Sequence, residues 1–375
     1  MPFTANLTTE EGLRAHLTSL SVDYSNVTSL TGGNANFLYR VTLEDEKTVI
    51  YKHAAPWLHF DPSFNLDPSR MDYESQALQM LPLVLSKHMS QTNVRPAAWC
   101  SYNEKEKLLC IEDGGSRNLK SAYTDPKLDI PSTGEDLGNW LAALHTCTTQ
   151  TPLSLSDEIS LEANNPIAVG AYRYSYDGLQ SVLAQFSHSA AFGAQINETF
   201  GSLLASDNEC ICHGDFWPGN VLVRSPGAHT QDEDTAVAVG LKLTIVDWEM
   251  VRRGTSATDV AQFAAEAFLL DTFHGGRGLR AAFLNSYACA RRGDEEDGDV
   301  VLGRGWVKRV AVHWGVHVAF WPTSVVWTDR EGTRGLVELG VGVLRAAVEE
   351  DWQLLRNSEL FRGVGGVWPE LFDRA

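Results

Sequence analysis

Over the first third of the chain, apolar and polar residues alternate in short runs: Val27-Thr-Ser-Leu30, Phe37 to Leu43, Thr48 to Lys52 and Lys107 to Glu112. A period of two presents one face of an extended chain to a core, so each run predicts a strand. One stretch breaks the pattern. From Met71 to Leu85, the residues Tyr73, Ala77, Leu78 and Leu81 recur at helical spacing, which predicts an amphipathic helix. Farther along, Gly134 to His145, Asp259 to His274, Trp306 to Phe320 and Leu336 to Leu355 read as helices. A single strand pair, Ile211 to Val223 and Leu241 to Trp248, interrupts them.

Strands first and helices afterwards predict an α+β architecture, a small sheet lobe with one helix joined to a larger, mainly helical lobe. The boundaries follow the pattern: residues 1–112 as the N-terminal lobe, 113–116 as the hinge and 117–375 as the C-terminal lobe. Glu112-Asp-Gly-Gly-Ser116 marks the hinge, because glycine turns the backbone without the cost of a Cβ. Residues 54–70, rich in Pro and Asp, and the acidic residues 225–240 read as a loop and a hairpin tip inserted into this plan. No internal repeat is present.

Composition narrows the class. The chain has 43% apolar and 21% charged residues over 375 positions, enough for two core-containing lobes. With 30 Lys+Arg against 48 Asp+Glu, the formal charge of −18 repels phosphate backbones and anionic lipid, which argues against nucleic-acid and membrane partners and tolerates a cationic substrate. The apolar stretches are interrupted by charge or His, as in Arg309 to His317, and none reaches the roughly 18–20 residues of a membrane span. The first residues show no basic region followed by an apolar core. Six cysteines are too few for a disulfide scaffold, and a reducing, cytoplasmic setting is expected. Cys210 and Cys212, without a second cysteine pair or a ligand-spaced His, read as buried thiols rather than a metal site. The sequons at Asn6, Asn26 and Asn197 are then expected to stay unmodified.

The chemistry concentrates in His213-Gly-Asp-Phe-Trp-Pro-Gly-Asn220, followed by Leu243-Thr-Ile-Val-Asp247-Trp-Glu249. Phosphoryl transfer needs a carboxylate at the attacking hydroxyl and oxygen ligands for magnesium on the ATP phosphates. Asp215 and Asn220, five apart on one loop, answer both needs, the first as base and the second as a metal ligand. Asp247, ending an apolar strand, supplies the second metal ligand. Glu249, two residues on and so on the same side of an extended chain, is a candidate for metal or substrate. His213 stands beside Asp215 as a catalytic candidate, although a histidine there more often shapes its loop. In the first lobe, Gly32, Gly33 and Asn34 lie in a loop between two strands, where bare backbone can approach phosphate. Lys52 ends a strand downstream, as the lysine of the kinase V-A-I-K motif does, and by that resemblance would pair the α/β-phosphates. Glu74 on the following helix is its expected partner, since Asp72 lies about 160° away. Glu112 and Asp113, at the hinge, complete the nucleotide-binding candidates. Trp217, Trp314, Trp321 and Trp327 offer rings either to a cationic ligand or, for most of them, to the core.

These motifs resemble those of the aminoglycoside phosphotransferase and choline kinase-type family of small-molecule kinases, and the resemblance runs through most of the chain. Gly214 stands where protein kinases carry Arg, Leu137 to His145 resembles the helix before the catalytic loop, and Gly254 to Asp259-Val-Ala resembles a further family segment. The resemblance implies a protein-kinase-like two-lobe fold, ATP and Mg2+ as cofactors and a small hydroxyl compound as acceptor. It also implies that Asp259 ties the catalytic loop in place. Two alternatives stand beside it. A pseudokinase scaffold would lose Lys52, Asp215, Asn220 or Asp247, and all four are present. A divergent protein kinase would need a long segment ending in Ala-Pro-Glu, whereas only the ten residues Met250 to Asp259 precede the next helix.

Overall fold

A computed structural model describes residues 6–31, 35–89, 92–153, 160–224, 241–293 and 302–374. Gly32, Gly33 and Asn34, and the acidic stretch 225–240, lie outside the described residues.

The first helix, α1 (Glu10–Ser19), begins where the Thr9 side chain accepts the Gly12 N–H. It leads into β1 (Tyr24–Leu30), β2 (Phe37–Leu43) and β3 (Thr48–His53), then α2 (Arg70–Leu85), β4 (Val94–Pro96), β5 (Trp99–Asn103) and β6 (Leu108–Glu112). Five strands form an antiparallel sheet in the order β1-β2-β3-β6-β5. Strand alternation gives it two apolar faces. Val27, Tyr39, Val41 and Leu108 meet Leu13 and Leu17 of α1 in a small core of their own. Ile50, Leu109 and Ile111 join Met71, Leu78 and Leu81 of α2 in the main core. Lys52 is two residues beyond Ile50, so the same alternation carries its side chain to the α2 side.

The remainder is mainly helical: α3 (Leu119–Ala122), α4 (Ile130–Cys147), α5 (Pro166–Gln185), α6 (Ala190–Ile196), then strands β7 (Cys210–Cys212), β8 (Val221–Arg224), β9 (Lys242–Ile245) and β10 (Arg252–Gly254). Helices α7 (Ser256–Phe273), α8 (Leu279–Gly293), α9 (Arg304–Phe320), α10 (Arg330–Val348), α11 (Trp352–Arg356) and α12 (Trp368–Asp373) follow. The α+β class read from the sequence is the fold observed. α4 and α8 pack closely at Gly138, where a Cβ would lie 2.0 Å from Ser286 Oγ. No helix among the described residues is long and apolar enough to cross a membrane.

Two expectations need correction. The strand expected from Ile211 to Val223 is two strands in different sheets: β7 pairs with β10, and β8 with β9. Gly214, at φ 85°, turns the chain between them. The helix expected from Leu336 to Leu355 stops at Val348, because Glu350 turns left-handed and Asp351 caps α11 through the Leu354 N–H. Strand β4 pairs in parallel with β9 of the later segment.

Candidate active site

The loop between β7 and β8 is fixed from beneath by α7. Asp259, buried in the first turn of that helix, accepts the N–H of His213 at 2.7 Å and of Gly214 at 3.0 Å. His145 Nε2 lies 3.3 Å away on the same carboxylate. Burial alone would raise the Asp259 pKa, but these bonds and the nearby charges hold it below the usual carboxylate range. A side chain at Gly214 is excluded, as its Cβ would fall 1.8 Å from the Met250 carbonyl oxygen. The buried His213 ring is kept neutral by burial, which lowers its pKa. Its Nδ1 accepts the Asp215 N–H at 3.2 Å and its Nε2 donates to the Val246 carbonyl at 3.0 Å. With both nitrogens on backbone, His213 shapes the loop and has none left for an acceptor proton.

Asp215 is half-buried and held by neutral amides. Gln262 Nε2 donates to one carboxylate oxygen at 2.6 Å, and Asn220 Nδ2 donates to the other at 3.1 Å. Burial, then the charge of Asp247, push its carboxyl up to about 6, with both amides pulling the other way. An ionised Asp215 therefore holds a proton more tightly than an ordinary carboxylate, which suits a base near neutral pH. Sequence reasoning missed Gln262. Its position three residues after Asp259 on a helix, hence on the same face, was the available signal.

Asp247 sits in the left-handed region at φ 68°, uncommon for a residue with a side chain. Its carboxylate contacts Lys52 Nζ, which also lies 2.7 Å from Glu74 Oε2 and 3.9 Å from Glu249 Oε2. Burial acts to lower the Lys52 pKa, but the surrounding carboxylates override it and the ammonium is held more firmly than usual. Burial likewise works against ionised Asp247, and Lys52 reverses the outcome, keeping that carboxyl below its ordinary range. Glu74, with no exposed surface, is pushed up to about 7 by burial. Asp72 turns away to Lys107, at 2.6 Å, and to the Tyr102 hydroxyl.

Glu249 faces the sheet rather than the catalytic loop. It is bound by Arg70 Nε at 3.1 Å and by Asn36 Nδ2 at 2.7 Å. Arg70, fully buried, also donates to Asn36 Oδ1 and to the carbonyls of Ala35, Ala55, Leu66 and Asp67. The segment read as an insertion is thus anchored to the site by this one side chain. At the hinge, Glu112 pairs with Arg95 and Asp113 with Arg40. The carboxylates of Glu74, Asp247 and Glu249 come within 4.8 Å of one another, but the cation they surround is Lys52. Asn220 and Asp247 fit magnesium better. Asn220 uses its amide N–H groups on Asp215 and so offers only its oxygen, and Asp247 retains 35% side-chain exposure. Hard oxygen donors of this kind are what the ion takes.

The tryptophans divide. Trp314 is fully buried, while Trp217 and Trp327 place their rings 5.2 and 4.4 Å from Lys120 Nζ, so a cation of the chain already occupies them. Trp321 is half-buried beside His317. The fold also brings His145 within 4.8 Å of the buried thiols of Cys210 and Cys212, a neighbour that sequence spacing does not reveal. Its ring nitrogens face the Tyr287 hydroxyl, at 2.8 Å, and Asp259.

With this geometry in view, the chain belongs to the phosphotransferase enzyme family: the profile described as "APH: Phosphotransferase enzyme family" matches residues 26–298. It is 26% identical over 381 residues to the 4-hydroxytryptamine kinase of Psilocybe cyanescens, covering 95% of this chain and 97% of that protein. The 4-hydroxytryptamine kinase of Psilocybe cubensis is 24% identical over 367 residues, covering 91% and 94%. A solved structure of the amicoumacin kinase hAmiN, in complex with AMP-PNP, Ca2+ and Ami, shares the fold at a TM-score of 0.52 and 11% identity, covering 92% and 94%. The protein is an enzyme that transfers phosphate to a hydroxyl group.

Proposed function

We propose that the enzyme moves the γ-phosphate of ATP to the hydroxyl of a small, ring-hydroxylated arylalkylamine, the acceptor class for which its Psilocybe relatives are named. The observation that carries the reading is the half-buried Asp215 carboxylate, oriented by two amides and raised to about 6. Asp215 takes the acceptor proton as the acceptor oxygen bonds the γ-phosphorus, and the bridging oxygen leaves with ADP. Asn220 and Asp247 would hold Mg2+, which neutralises charge developing on the phosphates. Lys52, fixed by Glu74, would meet the α/β-phosphates, and Gly32, Gly33 and Asn34 would cover them. Positioning and charge account for most of the acceleration in such a reaction.

The test is a panel of hydroxylated arylalkylamines, hydroxy-metabolites and antibiotics screened for ADP release with and without Mg2+. Wild type is expected to turn over members of the first group in a metal-dependent way. Melting curves with ATP accompany it: the Mg2+-dependent shift should largely vanish in Asp247→Ala. An undiminished shift in that variant removes Asp247 from the metal site.

A further inference from the structure

The buried carboxylates Glu74, Glu249, Asp259 and Glu266 are not treated alike by the fold. Glu74 meets Lys52, Glu249 meets Arg70 and Asn36, and Asp259 accepts two backbone N–H groups besides His145. Glu266, only 9% exposed, is hydrogen-bonded among the described residues to a single ring N–H, that of His317 at 2.9 Å. Burying a carboxylate is costly unless charge or several donors compensate it, and one imidazole N–H is a thin complement. The position of Glu266 explains what the site lacks. On α7 it follows Gln262 by one turn, about 6 Å along the axis, and Gln262 is the residue that holds Asp215. Asp259, Gln262, Glu266 and Phe273 share one face of the helix. From Phe273 the contacts pass to Trp327, then Lys120, then Trp217, two residues beyond Asp215 in the catalytic loop. His317 of α9 meets Glu266, and Trp321, just past the end of α9, stands beside His317. A buried carboxylate whose one hydrogen-bonded partner among the described residues is His317 thus lies one helical turn from Gln262, the side chain that holds Asp215, on a strip bordered by aromatic rings.

We infer that Glu266 binds the ammonium group of the acceptor, so that α7 grips both ends of the substrate: the hydroxyl at Asp215 through Gln262, the amine at Glu266. The inference rests on the phosphotransfer reading above and names the specificity residue of that site. An ammonium adds charge and further donors beside the single His317 N–H. The formal charge of −18 suits a cationic acceptor.

The experiment compares 4-hydroxytryptamine with 4-hydroxyindole, which keeps the hydroxyl and loses the amine, for wild type, Glu266→Gln and Glu266→Asp. Glu266→Gln should raise KM for the amine by 10- to 100-fold, with kcat within a few-fold, and leave KM for 4-hydroxyindole unchanged. Glu266→Asp, which keeps the charge on a shorter stem, should fall between wild type and Gln, and melting curves check that both variants fold. An unchanged KM for the amine, an equal rise for both acceptors, or wild-type turnover confined to hydroxyl compounds without an amine would each overturn the assignment. Loss of the role given to Asp215 would instead appear as an active Asp215→Asn enzyme, a result that leaves the two-acceptor comparison intact.

Discussion

Two carboxylates at the centre of the site sit in opposite surroundings. Asp247 is embedded in charge: Lys52 touches it, Glu74 and Glu249 share that lysine, and Arg70 backs Glu249. Among the described residues Asp215 meets no cation; its oxygens meet the amides of Gln262 and Asn220, and the strongest nearby charge is the like charge of Asp247. Their pKa values are driven apart accordingly, one below the ordinary range and the other up to about 6. Carboxylates separated in this way take different roles. The one locked in its anionic form suits a metal and phosphates, and the one with raised proton affinity suits the acceptor. On the proposed reading, the nucleotide side is organised by charge and the acceptor side by neutral hydrogen bonds to Asp215.

The sharpest way to break this contrast is to neutralise Asp215 alone. Asp215→Asn keeps the shape and the Asn220 neighbourhood but removes the proposed base. kcat should fall by about 10²–10⁴, the range of positioned acid–base groups. The ATP-induced melting shift should stay within a few tenths of wild type, since that side of the site is untouched. Retention of more than about a tenth of wild-type turnover would show that proton transfer lies elsewhere.

The charged side can be broken at Arg70. In Arg70→Met, Glu249 stays buried with only the more distant Lys52 as a cation, and carbonyls of residues 35, 55, 66 and 67 lose the Arg70 donors. Leaving one member of a buried pair uncompensated costs about 3–5 kcal/mol. Urea unfolding should register a loss of that size. The double variant Arg70→Met/Glu249→Leu should recover a good part of it, because the carboxylate that lost Arg70 is removed as well. If the double variant is no better than the single, the network matters through Arg70's carbonyl bonds and not through charge balance.

The same contrast explains what was legible in the sequence. Asp215, Asn220 and Asp247 stand out because one loop and one strand end carry them, and Lys52 because strand alternation points it toward α2. Glu74 was separable from Asp72 on helix geometry, and the structure turns Asp72 to Lys107. Arg70, Asn36, Gln262 and Glu266 left no local signature: each acts through a contact between distant segments, as in the Asn36–Glu249 bond across 213 positions. Glu249 was read from its place on an extended chain, but the left-handed Asp247 starts a tight helical turn instead and sends Glu249 toward the sheet. Ile211 to Val223 read as one strand because its apolar ends mask the turn that Gly214 makes. In each miss, tertiary structure overrode a local pattern.

The smallest expected effect concerns the acceptor side and its pH dependence. In its proposed role as base Asp215 must be ionised, so kcat/KM should decline as pH falls through about 6. Gln262 donates to the ionised form and thereby lowers the pKa. Gln262→Leu should therefore move the acidic limb to higher pH, with only a few-fold loss on the alkaline plateau. Stability gives an independent check of the sign. A carboxyl raised on folding contributes stability below its unfolded pKa near 4, and that contribution is lost as pH rises through about 6. Above that pH ionised Asp215 is a net cost to the fold. Asp215→Asn should consequently be more stable than wild type at pH 8, by about 1–3 kcal/mol at roughly 1.4 kcal/mol per pKa unit, and the advantage should fade by about pH 4. An acidic limb unmoved in Gln262→Leu would mean that the amide does not tune Asp215. A stability difference that stayed constant with pH would remove the raised carboxyl itself.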